Sequence, residues 1–347
     1  MKFLRFIFFP FSIIYWCITG LRNVFYKKGI MKASKFDAAS INVGNLSMGG
    51  TGKSPHIEYL IHLLKDEFNV ATLSRGFGRT ERGFRIADEN SSAKDVGDEP
   101  LQFYKKFGSA IKVSVEADRV LGAMDLFYKH PEINVLLLDD AYQHRSIHRG
   151  FDILLTDYAH PFYNDFILPV GNLRESRGGK KRADVIIVTK CPDLSNEQKL
   201  SISNKIKPSE GQSVFFSQIK YGAMKSFNGE EVSSTKYILV TGIANASPLV
   251  DELESKGEIL HHFKYNDHHK FRLEELKQIH DLFGKFASQN PVILTTEKDA
   301  MRLISKEFSE IVCEFPWAYQ PIEIQIDEKE KFNKLVLDYV KENNRND

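Results

Sequence analysis

The sequence predicts an α/β protein, in which a mostly parallel sheet flanked by helices is followed by a second, smaller α/β domain. Short apolar runs of strand length alternate with segments whose apolar residues have helical spacing. Several runs show no alternation of apolar and polar positions, which is typical of strands covered on both faces. The chain has 347 residues, 42% of them hydrophobic and 27% charged, which suffices for two domains with separate cores.

The strand-like runs begin near residue 39 and recur along the first half of the chain. They are rich in Val, Ile and Leu, and they lie at residues 40–44, 70–73, 111–115, 135–138, 152–155 and 185–188. Two intervening segments, residues 57–64 and 120–127, place apolar side chains on one helical face. Repeated strand–helix units of this kind predict a parallel sheet with helices on both sides.

The alternation of strand-like and helix-like segments stops after residue 200, where Ser, Lys and Glu become frequent, and it resumes near residue 237. We therefore expect a core at residues 36–205, a linker at 206–235 and a second α/β domain at 236–347. Four strands and one helix are predicted in this last part, at residues 237–241, 259–263, 273–282 (helix), 292–294 and 322–326. A C-terminal helix follows them, and its packing back on the core is left open.

Residues 1–35 form a separate N-terminal region, which is basic and contains the apolar run 6–20. Spanning a bilayer takes about 20 apolar residues, and this run is shorter and contains Pro10. We predict a monotopic anchor, a helix lying in the membrane interface while Lys and Arg side chains meet anionic headgroups. A buried helix of the soluble core and a full transmembrane span are the alternatives.

The composition narrows the classes of partner and compartment. A net charge of +1 gives no indication of nucleic-acid binding. The three cysteines, Cys17, Cys191 and Cys313, are scattered without a CxxC pair. This argues against a disulfide framework or a structural zinc site, and it suits a reducing cytoplasm.

The strongest motif is a glycine-rich loop between the first predicted strand and helix, ending in Gly52-Lys53-Ser54. It matches the P-loop pattern GxxxxGK[ST], except that the first glycine is Ser47. Backbone N–H groups of such a loop hold the β-phosphate of a nucleotide, the lysine reaches the β- and γ-phosphates, and the Ser54 hydroxyl is a Mg²⁺ ligand. The predicted nucleotide-binding residues are Ser47, Met48, Gly49, Gly50, Thr51, Gly52, Lys53 and Ser54.

Acidic and basic clusters follow other predicted strands, where parallel sheets carry their ligand loops. The run 135–138 ends in Asp139-Asp140, an arrangement suited to the magnesium ion of a P-loop protein. Two adjacent carboxylates point in different directions, so one can serve the metal while the other orients water or a base. Arg75 directly follows a predicted strand, as do Asp267 and His268 in the second unit, and His144 follows the double Asp. Asp98 lies in the tight turn 97–100, and Arg174 and Glu175 follow residues 168–172.

These segments together resemble one family, the tetraacyldisaccharide 4′-kinases, which are the lipid A 4′-kinases of Gram-negative bacteria. The resemblance rests on residues 43–55, 73–79, 96–100, 138–144, 168–175, 242–245, 267–269 and 296–300. The family also has Ser or Thr at the position of Ser47. The departures are Phe77, where Tyr is usual, and Ala141-Tyr142, where Gly-Leu is usual.

The resemblance implies that ATP donates its γ-phosphate, with Mg²⁺, to the 4′-hydroxyl of a tetraacylated glucosamine disaccharide 1-phosphate. It implies Asp98 as the catalytic base, paired with His268, together with Lys53 on the phosphates. Ser54, Asp139 and Asp140 are expected on the metal. Less defined site roles fall to Arg75, Arg119, His144, Arg174, Glu175 and Asp267.

The resemblance also implies a monotopic protein on the cytoplasmic face of the inner membrane. Its partners are then the glycolipid substrate and the lipid surface, with no nucleic acid and no obligatory protein partner.

Two other functions fit parts of the sequence. A membrane-associated GTPase or ATPase switch would need an Asn/Thr-Lys-x-Asp guanine motif, and residues 189–193 (Thr-Lys-Cys-Pro-Asp) carry Pro192 where Asp is needed. A soluble P-loop kinase for a small polar metabolite would give no reason for the aromatic, basic N-terminus.

Overall fold

The computed structural model describes residues 5–304 and 307–344, and its strands build two sheets. The strands are β1 (Ala39–Asn45), β2 (Val70–Ser74), β3 (Arg85–Ile86), β4 (Lys112–Val115), β5 (Val135–Asp139), β6 (Phe151–Asp157), β7 (Val185–Thr189), β8 (Ser213–Tyr221), β9 (Met224–Ser226), β10 (Glu231–Val232), β11 (Lys236–Thr241), β12 (Glu258–Lys264), β13 (Val292–Thr296), β14 (Trp317–Gln320) and β15 (Ile322–Ile326).

The helices connect these strands or flank the sheets. They are α1 (Phe9–Lys27), α2 (Lys53–Leu64), α3 (Ala93–Val96), α4 (Asp98–Phe107), α5 (Arg119–Lys129), α6 (Asn196–Ile206), α7 (Ser247–Lys256), α8 (Leu273–Phe286), α9 (Glu297–Leu303), α10 (Ser309–Cys313) and α11 (Lys329–Asn343).

The first sheet has nine strands in the order β15-β8-β7-β6-β1-β5-β2-β4-β3. Neighbours from β8 to β4 run parallel, and only the edge strands β3 and β15 are antiparallel. The predicted mostly parallel sheet is therefore confirmed. Strand β1 lies between β5 and β6, so the loop after β1 opens at a switch point of the sheet, where open α/β sheets bind their ligands.

The second sheet is smaller, with six strands in the order β10-β9-β14-β13-β11-β12. Its strands β11 to β14 pair in parallel, and the short strands β9 and β10 add an antiparallel edge. Helices α8 and α9 bury their apolar faces against it, with Leu276, Ile279 and Leu303 in the core.

The predicted linker and second domain need correction, because two of their strands belong to the first sheet and the last helix packs on that sheet. Strand β8, at residues 213–221, pairs in parallel with β7 and buries Phe215 and Phe216. Strand β15 pairs with β8, and helix α11 packs on β1, where the Tyr339 hydroxyl donates to the Ser40 carbonyl at 3.1 Å. The polar residues of 206–235 concealed β8, because a strand near the sheet edge alternates apolar with polar positions.

Helix α1 lies outside both cores. The helix buries only Ser12 and Thr19, while its large apolar side chains are exposed. Residues 6–27 are long and apolar enough to cross a membrane by length and composition alone. The exposure disfavours a buried core helix, and the helix extends to Lys27, beyond the apolar run seen in the sequence.

Candidate functional site

The glycine-rich loop connects β1 to α2 as the sequence predicts. Gly52 has a left-handed φ of +85°, and α2 begins at Lys53, so the loop turns its backbone toward the helix N-terminus. Asn45 donates a 2.8 Å hydrogen bond to the Thr51 hydroxyl, which fixes the loop from within. The start of the loop is held from outside, because Met48 N–H donates to the Asn172 carbonyl at 2.8 Å.

His56, which no sequence motif singles out, supports the loop from inside the protein. Burial lowers the pKa of its imidazole to about 4, so the ring is neutral. Its Nδ1 lies 2.7 Å from the Gly52 carbonyl and therefore donates to it, which leaves Nε2 to accept from the Ser217 hydroxyl at 3.1 Å. A lone histidine on a helical apolar face gave no sequence signal, because its partner is on β8, 161 residues away.

Lys53 and Asp140 meet at the mouth of this loop. The Lys53 Nζ lies 3.7 Å from Asp140 Oδ2. Arg174 donates to both oxygens of the same carboxylate, at 2.7 and 3.1 Å, and also to the side chain of Asn45. Asp140 adopts a left-handed φ of +52°, which turns it out of the strand toward these cations. The structure thus places Arg174 in the site that the sequence predicted for it.

The two adjacent carboxylates have opposite electrostatic environments. Burial raises the pKa of Asp139 to about 7, against the pull of Lys53. Asp140 is also desolvated, but Lys53 and Arg174 outweigh that burial and lower the pKa of Asp140 to about 2. The Asp140 carboxylate is therefore ionised and bound by two cations, whereas Asp139 has a carboxyl oxygen without a hydrogen-bond partner.

This arrangement fits a magnesium ion that is shared with nucleotide phosphates. Asp139 Oδ1 is buried and has no hydrogen-bond partner within the described residues. Ser54 stands half-buried in the first turn of α2. Residues 5–304 and 307–344 hold no group of three or more His, Cys, Asp or Glu side chains able to bind a metal. Mg²⁺ in kinases is held by one or two protein ligands together with phosphates and water, so this sparse donor set suits it.

Asp98, at the first turn of α4, meets residues of the second sheet unit. Arg302 on α9 donates to Asp98 Oδ2 through Nη2 at 2.6 Å and Nε at 2.9 Å. His268 Nδ1 lies 3.4 Å from the same oxygen. His268 has a left-handed φ of +58°, and Phe77 packs edge-on against its ring at 5.1 Å. The structure therefore brings together the two residues that the resemblance pairs, although they are 170 positions apart.

The partners of Asp98 control its ionisation. Burial alone would raise the pKa of this carboxyl, but the hydrogen bonds from His268 and Arg302 outweigh burial and hold the pKa below its usual range. The carboxylate is therefore ionised at neutral pH and accepts hydrogen bonds. Because the carboxylate is a weak base, it is better suited to orienting the hydroxyl group of a ligand by a hydrogen bond than to removing its proton completely at an early stage.

Arg302 and Lys298 were missed as site residues. Lys298 Nζ binds Glu99 Oε1 at 2.9 Å and lies 3.2 Å from His268 Nε2. Both basic residues are on α9, four positions apart, and both reach the first turn of α4. The spacing Lys298–Arg302 was a usable signal, since residues i and i+4 share one helical face.

Three other predicted residues, Arg119, Arg75 and His144, lie close enough to influence one another's charge. Arg119 is 1% exposed and donates to backbone carbonyls, including that of Asp139 at 3.2 Å. It therefore braces the end of β5. Arg75 is exposed, and its charge reaches both Arg119 and His144. Burial, followed by these two arginines, lowers the pKa of His144 to about 4.

The two remaining candidates differ in burial, because Glu175 lies inside the protein and Asp267 lies at its surface. Glu175 is fully buried and accepts two hydrogen bonds from Arg182 at 2.8 Å, with further ones from Gln143 and Asn23. All its acceptor capacity is used, so its place is structural. Asp267 is half-exposed, and its Oδ2 lies 3.9 Å from His268 Nε2.

The guanine-like segment at residues 189–193 touches the phosphate loop. The Lys190 ammonium donates to the Gly50 carbonyl and, at 2.9 Å, to Asp157. Asp193 accepts from Gln218 at 2.8 Å. Its carboxylate is thus engaged within the protein, and Pro192 still occupies the place of a guanine-binding Asp.

Comparison with known proteins adds to this geometry. Residues 4–341 match the family described as tetraacyldisaccharide-1-P 4′-kinase. The chain belongs to this family. The tetraacyldisaccharide 4′-kinase of Flavobacterium johnsoniae is 43% identical, with 99% of each chain covered. That of Flavobacterium psychrophilum is 44% identical over the full length of both chains, and that of Bacteroides thetaiotaomicron is 41% identical over 97% of this chain and 94% of its own.

A solved structure of the tetraacyldisaccharide-1-P 4′-kinase family gives the same fold. It is that of LpxK from Aquifex aeolicus, crystallised in complex with ATP. The two chains are 28% identical, the TM-score is 0.75, and the match covers 97% of this chain and 99% of the other. The predicted fold class and family resemblance are both confirmed.

Proposed function

We propose that this chain is an ATP-dependent kinase that phosphorylates the 4′-hydroxyl of a tetraacylated glucosamine disaccharide 1-phosphate. The observation that carries the proposal is the full-length match to the tetraacyldisaccharide-1-P 4′-kinase family. The geometry supports it, because a phosphate loop with Lys53 and a carboxylate with partners on the second sheet unit supply the two halves of a phosphotransfer site.

The donor half is the loop from Ser47 to Ser54. Its backbone N–H groups at the start of α2 bind phosphate oxygens, and Lys53 neutralises charge on the β- and γ-phosphates. Asp140 and Arg174 hold the loop mouth, and Asp139 with Ser54 would hold Mg²⁺. When bound, that ion would supply positive charge to offset the negative charge that develops in transfer.

The acceptor half is centred on Asp98. Its ionised carboxylate accepts the hydrogen of the sugar hydroxyl and orients the oxygen toward the γ-phosphate. His268 and Arg302 keep that carboxylate ionised and fixed. The proton passes to Asp98 as the new O–P bond forms and the bond to the ADP oxygen breaks. Since transition states of this kind are loose, positioning outweighs basicity.

The N-terminal helix supports a monotopic position on the cytoplasmic face of the inner membrane. Its large apolar side chains form an exposed face, and exposed apolar patches of this size mark contacts with membranes or partner proteins. A bilayer surface would cover them and would also contain the acylated acceptor. On this proposal, helix α1 would bring the site close to its lipid substrate.

The reaction is tested by incubating the full-length protein with γ-labelled ATP and the disaccharide 1-phosphate in detergent micelles. We expect label in a bisphosphorylated glycolipid. Folded protein that transfers no label would overturn the proposal.

A GTPase or ATPase switch is the rival function, and nucleotide selectivity separates the two. Without a carboxylate at residue 192 to pair with guanine, ATP is expected to support turnover well above GTP. Equal turnover with both, or hydrolysis that needs no acceptor, would favour the switch.

A further inference from the structure

Helix α1 has a polar stripe that faces the protein and an apolar face that points away from it. The stripe consists of Ser12, Tyr15, Thr19 and Asn23, whose spacing of three and four residues aligns them on one side of a helix. Ser12 and Thr19 are the buried residues of the helix. An anchor needs only its apolar face, so this stripe indicates a second role.

Three residues of the stripe bind the segment at residues 167–175. The Ser12 hydroxyl donates to the Ile167 carbonyl at 3.3 Å and accepts from Val170 N–H at 3.2 Å. The Tyr15 hydroxyl donates to the Arg174 carbonyl at 3.0 Å. Asn23 donates to the Glu175 carboxylate at 3.1 Å. The helix is therefore fixed to this segment along its length.

The same segment holds the phosphate loop. Arg174 N–H donates to the Leu46 carbonyl at 2.7 Å, and Leu173 pairs with Ser47 in an antiparallel bridge. The Arg174 guanidinium then binds both oxygens of Asp140, which lies beside Lys53. Tyr15 is thus two contacts away from Asp140 and three from the lysine of the phosphate loop.

We infer that Tyr15 and Asn23 are positioning residues of the phosphotransfer site, and that helix α1 is a wall of that site as well as its membrane contact. A bilayer that covers the outer face of α1 holds the helix in place. The inner stripe transmits this restraint to residues 167–175, and these keep Asp140 and the start of the loop in register. This inference rests on the proposed kinase function only for its activity measurement.

The test compares Tyr15→Phe with wild type in the full-length protein. The substitution removes one hydroxyl and leaves the ring and the outer face of α1 intact. Tyr128→Phe is the matched control, because Tyr128 is 88% exposed on α5 and forms none of these contacts. Asn23→Ala is the second variant, and a thermal melt checks the fold of each protein.

Three results are expected for Tyr15→Phe and not for the control. Losing one hydrogen bond of positioning lowers kcat by about 3- to 10-fold, with KM for the acceptor unchanged. Affinity for an unhydrolysable ATP analogue with Mg²⁺ falls by a similar factor. Amide exchange speeds up at Met48 and Arg174, and vesicles protect these amides less than in wild type. Flotation with vesicles stays at the wild-type level.

The outcomes separate this inference from the proposed function. The inference would be overturned if Tyr15→Phe kept the wild-type kcat, analogue affinity and amide exchange. Faster exchange with unchanged kcat and affinity would also overturn it, because the Tyr15 hydroxyl would then stabilise the fold without positioning the site. A drop in flotation alone would also overturn it. Wild-type protein without phosphotransfer would remove the proposed function, and exchange and analogue binding would then still decide this inference.

Discussion

Arg302 donates two hydrogen bonds to a single oxygen of Asp98, and His268 approaches that same oxygen. The other oxygen, Oδ1, has no partner among the described residues. Because Asp98 belongs to the first sheet unit while Arg302 and His268 belong to the second, this cluster, the proposed acceptor half of the site, forms only when the two units are packed together.

Removing the carboxylate of Asp98 should abolish most turnover. We expect Asp98→Asn to lower kcat by about 10²- to 10⁴-fold, since an amide cannot take the hydroxyl proton. ATP affinity should be nearly unchanged, because Lys53 and the phosphate loop are untouched. Labelled transfer and nucleotide titration measure the two effects. Asp125→Asn, on the exposed side of α5, is the control. Near-normal turnover in Asp98→Asn would remove Asp98 from the role.

Arg302 should set the acidic limb of the pH–rate profile. Its hydrogen bonds help to hold the pKa of Asp98 below its usual range. Arg302→Gln therefore raises that pKa, and the acidic limb of kcat/KM moves to higher pH. Arg82→Gln, at an exposed position, should leave the profile in place. A profile lowered at every pH without displacement of the limb would contradict this account.

Asp139 should control the magnesium requirement. Its Oδ1 is buried and has no partner within the described residues, whereas the Asp140 carboxylate is bound by Lys53 and Arg174. Asp139→Asn should raise the Mg²⁺ concentration for half-maximal rate by about 10- to 100-fold. A magnesium titration at saturating ATP, with a direct titration of Mg²⁺–nucleotide binding, measures this. An unchanged magnesium requirement would leave Asp139 a purely structural role.

A buried charge cluster should make stability depend on pH. Lys106 bridges Glu58 on α2 and Glu297 on α9, at 2.6 and 2.8 Å. Burial raises the pKa of Glu58 to about 7, against the attraction of Lys106. When folding raises the pKa of an acid, that acid stabilises the folded protein fully at a pH below its pKa in the unfolded chain. The contribution is lost as the pH rises through its pKa in the folded protein. The window is therefore from the ordinary pKa of Glu to about 7.

Glu58→Gln should remove the contribution of Glu58 to this dependence, whereas Glu297, whose pKa burial also raises, keeps its own. Between pH 4.5 and 8, we expect the wild type to lose about 2–3 kcal/mol of unfolding free energy that the variant keeps. Denaturant titrations at the two pH values measure the difference. Glu67→Gln, an exposed acid just beyond the same helix, is the control. Equal pH dependence in Glu58→Gln and wild type would show that Lys106 compensates Glu58 fully.

The outer face of α1 should carry membrane binding. Trp16 and Ile18 are 53% and 62% exposed on that helix. Trp16→Glu or Ile18→Glu should lower the vesicle partition coefficient by about 10-fold or more, because each removes the burial of one large apolar side chain. Flotation with anionic vesicles measures it. Tyr128→Glu, exposed on α5, should bind as wild type does, and equal binding of all four proteins would contradict a role for this face.

Local patterns were sufficient for the strands, the phosphate loop and the paired acids. The elements around residues 39–64 and 135–140 depend on apolar runs and glycine spacing, which are properties of neighbouring residues. The same patterns missed β8, because its polar positions look like a linker until the partner strand is known. They predicted β15 with its observed bounds but assigned it to the second domain, although it pairs with β8 in the first sheet. They also missed Arg302, although its helical spacing from Lys298 was available.

The sequence by itself therefore determined the α/β class, the phosphate loop and, through its family motifs, the candidate residues Asp98 and His268. Tertiary structure alone decided that Arg302 neutralises Asp98, that Asp140 rather than Asp139 is held by cations, and that Tyr15 is tied to Arg174. The physical reason is distance along the chain. Hydrogen bonds and burial act through space, and these partners are separated by 34 to 204 residues, where sequence periodicity carries no information.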